Sequence, residues 1–561
     1  QLLGLEKVGV EDNFFELGGD SILSIQVVAR ANQAGVRLTP RQIFEHQTIA
    51  ELALVAGSSG PVEAEQGPVE GPVPLTPIQR WFFEEELRDA HHWNQALLLK
   101  VRPGLEASAL QGALQALIEH HDALRLRFAP QKKGWSQFNA GLGERASFGW
   151  ADLSALGEEE QEKAVSTLSR RLQASLNLQE GPLMRAACFS RGKGRTDRLL
   201  MAVHHLAVDG ISWRILLEDL EGACLQQQQG KAIELPAKTT SFKQWAERLQ
   251  EQARSRVLQA EAACWLAPLR KGIEAARLPV DFEGGLNSED STATLALTLD
   301  ERETQMLLQE VPQAYRTQIN DVLLTALAQT LSRWAGAGCV PVQLEGHGRE
   351  ELFEDLDISR TVGWFSSEFP VFLRPSPVSL GEALKSVKEQ LRAVPRRGVG
   401  FGLLRYLSEP EVAARMREVP LPQVCFNYLG QVGAGGLDAA QRKEGSDAAA
   451  ARPAAPRPMF SLTREPSGRD RSPRARRSFL LDVIGNVAGG RLRVSWTFSR
   501  NIHREAAIRR QAEEYMQALR SLIAHCRSPQ SGGHTPSDFP LAGVDQQELD
   551  KILKRFNKRG K

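Results

Sequence analysis

Three residues in this chain stand where they could do chemistry. Ser21 follows two glycines in LGGDSI and precedes an apolar-periodic run. A serine there presents its hydroxyl near the positive end of a helix, which suits a phosphodiester; the same position also suits a plain N-cap. His205 closes the apolar run RLLMAVHH and is followed by LAVDGISW, with Asp209 four residues on. A histidine beside a carboxylate in a strand-to-helix loop suits a general base, and Asp209 equally suits a structural role. Glu345 opens EGHGRE at the end of the alternating stretch VPVQLEGHG. A glutamate in that place is ordinarily just solvated, Glu350 is the rival carboxylate, and His347 reads as structural.

Metal chemistry is poorly supplied. His91–His92, His120–His121 and His204–His205 are adjacent pairs. Neighbours on a helix or strand point apart, so such pairs are poor joint ligands and suit packing and hydrogen bonding. Cys188, Cys224, Cys264, Cys339, Cys425 and Cys526 are scattered without zinc-ligand or CxxC spacing. They read as free thiols in a reducing, cytoplasmic setting, with no metal expected.

The elements that must hold these residues follow from periodicity. DSILSIQVVARANQAG predicts an amphipathic helix capped by Asp20 or Ser21, with Gly35 just past its end. TPRQIFEHQTIAELALVA predicts a second helical piece, started by Thr39 and Pro40. Residues 57–72 are Gly, Pro, Ser and Glu with almost no large apolar side chain, a linker composition. From residue 73 to 526 helices and strands alternate over a length too great for one core. Two lobes are expected, about 73–280 and 281–526, divided near LPVDFEGGLNSEDS. ASALQGALQALIEHHDAL and DVLLTALAQTLSRWAGAG read as helices, and RLLMAVHH as a buried strand. In VPVQLEGHG, Val340, Val342 and Leu344 share one face and Gln343 and Glu345 the other. Residues 433–477, rich in Ala, Arg, Pro, Gly and Ser, suggest a disordered insertion in the second lobe. Its Arg464, Arg469, Arg471, Arg474, Arg476 and Arg477 suit an anion patch or, more simply, a solvated loop. Residues 527–561 read as a linker and a short basic helix.

Composition excludes whole classes. The chain has 561 residues, with 69 Lys and Arg against 68 Asp and Glu, a net charge of +1. That balance speaks against a nucleic-acid binder with a broad basic face. No run approaches the ~18 apolar residues of a membrane span, and the N-terminus lacks a signal-peptide pattern. Without an initiator Met, and with QLLGLEKVGV reading as the inside of a helix, an excerpt of a longer chain is expected.

With these residues in view, two resemblances emerge. DNFFELGGDSILSIQVVAR resembles the core of a peptidyl or acyl carrier domain. The resemblance implies a small all-α helical bundle over residues 1–56, N-terminally truncated, with 4′-phosphopantetheine esterified to Ser21. Asp20 before the serine is similar to carriers that precede epimerization domains. HHLAVDGISW resembles the HHxxxDG motif of the condensation superfamily of nonribosomal peptide synthetases. That implies two α/β, chloramphenicol-acetyltransferase-like lobes with a tunnel between them. PIQRWFF with HHWNQ, EGHGRE, RTVGWFSSEFPVFL, GVGFGLLRYL and FNYLGQ resemble the motifs of epimerization domains, in the same order. The resemblance implies His205 and Glu345 as the catalytic pair, with His204, Asp209, Asn427 and Tyr428 in support. Phe369 and Phe401 stand where the family often has Tyr, Ser366 where it often has Thr, and Val432 and Gly433 replace the usual Phe-Asp.

The chemistry implied is epimerization at the α-carbon of an L-aminoacyl or peptidyl residue. A thioester makes the α-proton removable because its carbonyl can hold an enolate. Two titratable groups on opposite faces can then share the proton work. Protonated His205 is a candidate donor to the enolate oxygen; Asn427 and Tyr428 suit the lining of the site, and Tyr428 equally suits a packed aromatic. No pyridoxal phosphate is implied. The resemblance implies an upstream adenylation domain, a phosphopantetheinyl transferase and a downstream condensation domain as partners, with no nucleic acid and no membrane. The alternatives are a condensation domain that forms peptide bonds and a scaffold that only docks carriers.

Overall fold

The computed structural model describes all residues except 1–2, 4–6, 16, 20, 58–63, 271–275, 433–457, 464, 530, 540 and 560–561. The carrier segment is helical. α1 (Ser21–Gln33) buries Leu23, Ile25 and Val28. Val28, Leu38 and Ile43 form its small core with Phe14, Phe15 and Leu52 packed against it. The predicted second helical piece is two helices, α2 (Pro40–Glu45) and α3 (Ile49–Val55). The break has a local cause. Thr48 with Glu51 forms a capping box as complete as that of Thr39 with Gln42, so a new helix starts there. Asp20, a candidate cap, lies outside the described residues, and α1 begins at Ser21.

The strands are β1 (Gly71–Val73), β2 (Asn94–Val101), β3 (Leu126–Pro130), β4 (Trp135–Asn139), β5 (Ser147–Asp152), β6 (Met184–Ser190) and β7 (Arg198–His204) in the first lobe. β8 (Thr292–Thr298), β9 (Val340–Gly346), β10 (Ser367–Leu373), β11 (Val424–Val432), β12 (Phe460–Leu462), β13 (Leu481–Ala488) and β14 (Arg491–Ser499) follow. They make a small sheet β1-β4-β3, a first-lobe sheet β12-β2-β7-β6-β5 and a second-lobe sheet β10-β9-β11-β13-β14-β8. β7 is central and every residue of it is buried, which explains its unbroken apolar run. β9 alternates as its sequence predicts: Leu344 lies opposite Phe369 of β10, and Glu345 opposite Glu368.

Helices cover the sheets. The helices Ala107–His120 and Gly210–Gln228 pack together in the first lobe, and Ile319–Ala335 and Glu505–Cys526 in the second. Gly336, at φ +64°, ends the third of these in the left-handed conformation that glycine adopts without strain. One apolar core runs through both lobes. Among the described residues no helix is long and apolar enough to cross a membrane.

Chain order and lobe part company in one place. Residues 433–457 and Arg464 lie outside the described residues, but the rest of the expected insertion is built into the fold. β12 pairs with β2 and so adds an edge strand to the first lobe's sheet. The chain then forms bridges at Trp93 with Arg471 and at Ser288 with Arg476 before entering β13. Its composition resembled disorder because the partners of Arg471 and Arg474 lie far away in sequence. Arg474 pairs with Asp89 and Arg471 with Glu289, at 2.5 and 3.0 Å, and Arg477 pairs with Asp482. The C-terminal residues are also anchored before the basic helix Gln546–Arg559: Lys388 Nζ, buried, meets Asp538 at 2.6 Å.

Candidate active site

β7 delivers His204 and His205 to the lobe interface, and strand alternation separates their tasks. His204 is fully buried; its Nε2 meets the Ala90 carbonyl at 2.8 Å and its Nδ1 accepts from Leu206 N at 3.1 Å. Burial holds its pKa down at about 3, so it is a neutral structural residue. His205 begins a short 3-10 turn that swings its ring into the interface. Nδ1 lies 2.9 Å from the Val208 carbonyl, which makes Nδ1 the protonated nitrogen. Nε2 lies 2.9 Å from Gln95 Nε2, whose own Oε1 accepts from Trp213 Nε1 at 2.8 Å. The indole thus fixes the amide, the amide donates to the imidazole, and Nε2 keeps an acceptor lone pair. Burial, with the charge of Arg471 adding to it, brings the His205 pKa down to about 4. The ring is a neutral base at neutral pH. Gln95 belongs to the HHWNQ block, but its coupling to His205 crosses 110 residues of sequence and was not legible there.

Glu345 comes from the other lobe, on the face of β9 opposite Leu344. Ser366 Oγ donates to its Oε1 at 2.9 Å and Asn427 Nδ2 to its Oε2 at 2.6 Å. Register explains Asn427: Phe426 aligns with Leu344 between β11 and β9, so the next residue flanks Glu345. Tyr428 then faces away. A Cβ on Gly485 would meet both the Tyr428 ring and Leu323 of the helical layer, and Tyr428 packs against the core. Burial raises the Glu345 pKa above the usual carboxylate range, while its two donors oppose the rise. Glu368, directly opposite, is pushed up to about 8 by burial and by the Glu345 charge. Both carboxyls are half-buried by surface.

Residues 364–366 tie the two halves together. The Trp364 ring lies 4.2 Å from that of His205, and Ser366, two residues on, holds Glu345. Beside them is a pocket walled by Trp81, Trp364 and Phe401, with Gln343, Ser366 and Glu368 on its polar side. Asp209 caps the helix Gly210–Gln228 through Ser212 N at 2.7 Å and takes Arg349 of the second lobe at 3.2 Å. It braces the loop of His205. His347 accepts from Arg349 N at 3.0 Å and lies 3.6 Å from Glu350, so both are occupied in shaping the loop after Glu345.

Ser21 is the first residue of the 13-residue helix α1. Just before it, Gly18 O accepts from Gln431 Nε2 of β11 at 3.0 Å. Arg397 lies 4.0 Å over the Phe44 ring, and Arg37 Nη2 donates to Glu354 O at 3.1 Å. The carrier therefore sits on the second lobe at the end of the strand that carries Asn427. From Gln431 to Asn427 is four residues, roughly 13 Å of strand.

Among the described residues, His120, His121 and Asp219 could by spacing hold a metal ion. Asp219 is already engaged by His121 at 2.9 Å and by Arg360 at 2.5 Å.

Helical carrier, two sheet-centred lobes and a histidine opposite a carboxylate together define a class: a carrier domain joined to a member of the condensation superfamily. Comparison with known proteins agrees. Residues 69–541 match the condensation domain family and residues 1–55 the phosphopantetheine attachment site family, and the chain belongs to both. Residues 1–55 are thus a domain of the kind to which 4′-phosphopantetheine is covalently attached. The chain is 49% identical to a linear gramicidin synthase protein of Brevibacillus parabrevis over 98% of its length, and 42% to surfactin synthase subunit 1 of Bacillus subtilis (strain 168) over 99%. It spans only 7% and 15% of those proteins. The fold matches the crystal structure of the epimerization domain from the third module of tyrocidine synthetase B. That match has TM-score 0.73 and 37% identity, over 83% of this chain and 98% of that one. The first condensation domain of the calcium-dependent antibiotic synthetase shares the fold at TM-score 0.60 and 18% identity, over 82% and 97%.

Proposed function

We propose that this didomain epimerizes the α-carbon of an L-aminoacyl or peptidyl residue held as a thioester on the 4′-phosphopantetheine of its own carrier, with Ser21 as the attachment point. One observation carries the reading. A neutral imidazole, its Nε2 lone pair accepting from the Gln95 amide, and a carboxylate gripped by two donors come from opposite lobes and are joined through Trp364 and Ser366. Such a pair suits removal of a proton on one face of a carbon and return of one on the other.

The residues present fit the arm. Ser21 opens a helix long enough to favour an attached phosphodiester at its N-terminus, and the Gly18–Gln431 contact sets that end beside β11. When bound, the arm presents its acyl group as a thioester, whose carbonyl takes up negative charge that a free carboxylate would resist. His205 Nε2 receives a proton as the Gln95 N–H gives way, because Nδ1 is committed to Val208 and burial disfavours prior protonation. Glu345 is held by Ser366 and Asn427, and its raised pKa makes it a competent proton donor as well as acceptor. The walls of Trp81, Trp364 and Phe401 limit water beside the exchanging proton.

In this reading an upstream adenylation domain chooses the residue and a phosphopantetheinyl transferase installs the arm. A downstream condensation domain draws off the D form from the L/D mixture. The test is to load the chain with an L-aminoacyl arm and compare the native protein with His205→Ala and Glu345→Gln. Exchange of the α-hydrogen with heavy water, lost or slowed at least ~100-fold in both variants, is the expected result. Unchanged exchange in both variants overturns the assignment, and peptide-bond formation with a second loaded carrier favours a condensation domain instead.

A further inference from the structure

The sheet geometry brings a cation to the same site from a segment whose composition resembles disorder. Trp93 is bonded on one side to His205, whose N donates to Trp93 O at 2.9 Å, and bridged on the other to Arg471. Flanking bonds fix the register: Asn94 N donates to Asp470 O at 2.7 Å, and Ser472 N to His92 O at 3.0 Å. Residues abreast in a sheet project to one face, so His205, Trp93 and Arg471 share a face, with about 10 Å between the outer backbones. A side chain as long as arginine covers much of that gap.

The guanidinium is held by two contacts that leave part of it open. It lies 3.9 Å over the Trp93 ring, and Nη1 donates to Glu289 Oε1 at 3.0 Å. The side chain keeps 40% of its surface exposed, although Trp93 beneath it is buried. Its charge acts on groups from both lobes: on His205 in the first, and on Glu345, Cys425 and Asp482 in the second. Through Trp93 the cation stands one strand away from His205, on the face that His205 shares. The mechanism above leaves the site without a positive group where negative charge must grow.

We propose that Arg471 is a catalytic residue of this centre, its guanidinium facing the carbonyl oxygen of the thioester and taking up the negative charge that forms there. The proposal rests on the epimerization reading. In the step, the Cα–H bond breaks toward the base and its electron pair forms a Cα–C π bond. The carbonyl π pair then moves onto oxygen, opposite the guanidinium. On return that pair re-forms the carbonyl, and the α-carbon takes a proton from the opposite face. A cation fixed in place by Trp93 and Glu289 stabilises such charge with little reorganisation.

The experiment uses the full chain with Arg471→Ala, Arg471→Lys and, as control, the exposed Arg474→Ala from the same segment. α-Hydrogen exchange by the native loaded chain is measured first and decides the epimerization reading on its own. Arg471→Ala should then lower the first-order exchange rate about 100-fold, Arg471→Lys should recover part of it, and added guanidinium ion should rescue Arg471→Ala. Arg474→Ala should exchange like the native chain. A second readout needs no loaded arm. In the unloaded protein the His205 imidazole, followed by NMR, should titrate at higher pH in Arg471→Ala than in the native chain, because a neighbouring cation has gone. Exchange within threefold of native, or an unmoved His205 titration, overturns the proposal.

Discussion

Arg349 of the second lobe reaches Asp209 of the first, Nη2 to Oδ1 at 3.2 Å, with both side chains buried. The same guanidinium donates to the Ile358 and Thr361 carbonyls at 2.9 Å, and Asp209 also accepts from Phe365 N at 3.2 Å. One ion pair thus fixes the helix that follows His205 against the segment that carries Trp364 and Ser366. Removing one partner strands a buried charge, which costs about 3–5 kcal/mol. Arg349→Met should lower the urea midpoint accordingly. The double variant with Asp209→Asn should recover part of the loss, and additive losses would deny the coupling.

His205 and Glu345 set the acid limb of activity. The His205 pKa is depressed to about 4, so the imidazole is the free base above that pH and is lost as the pH falls through it. Glu345 is raised above the usual range, so its carboxylate is lost at a higher pH than an ordinary glutamate's. Exchange should therefore fall on acidification with its first step due to Glu345. A pH profile of exchange in the native chain and in Asn427→Ala checks this. Loss of the Asn427 donor should move that step to higher pH.

Glu368 should supply an alkaline limb. Its own surroundings are Glu345 and Gln343 on β9, with Glu85 and Asp482 contributing further negative charge. It is neutral below about pH 8 and ionises above it, placing a second anion beside Glu345. A carboxyl whose pKa is raised on folding stabilises the native state fully below its unfolded pKa, and that stability is lost as pH rises through the folded value. Glu368→Gln should gain stability relative to the native chain between pH 5 and 9, read as a growing difference in urea midpoint. A difference independent of pH would contradict the buried pairing.

Gln95 decides which form of His205 is present. Gln95→Glu would set a carboxylate against Nε2 in place of an amide N–H, with Trp213 still holding the other oxygen. The imidazole would be drawn into its protonated form, its NMR titration moving up, and exchange at pH 7 should fall at least tenfold. Equal activity in Gln95→Glu would argue against His205 as the base.

How much of this was legible in the sequence depends on how far each contact reaches. His205 and Glu345 stand in contiguous blocks, and β7 and β9 follow from apolar pattern alone. Asn427 was readable, but Tyr428 beside it shares a strand, and successive side chains take opposite faces. Glu368 acquires its character only through the β9–β10 ladder, and Gln95 only through Trp213 across the lobe. Arg471 was hidden more deeply. Its segment has the composition of a solvated loop, and only the bridge to Trp93 reveals that it belongs beside the site.

The most direct test of the central claim uses the native chain alone, loaded in separate samples with the L and the D form of one aminoacyl group in heavy water. Both samples should take up deuterium at the α-carbon and converge on the same L/D ratio. Retention of each starting configuration, with no deuterium at the α-carbon, would contradict the account.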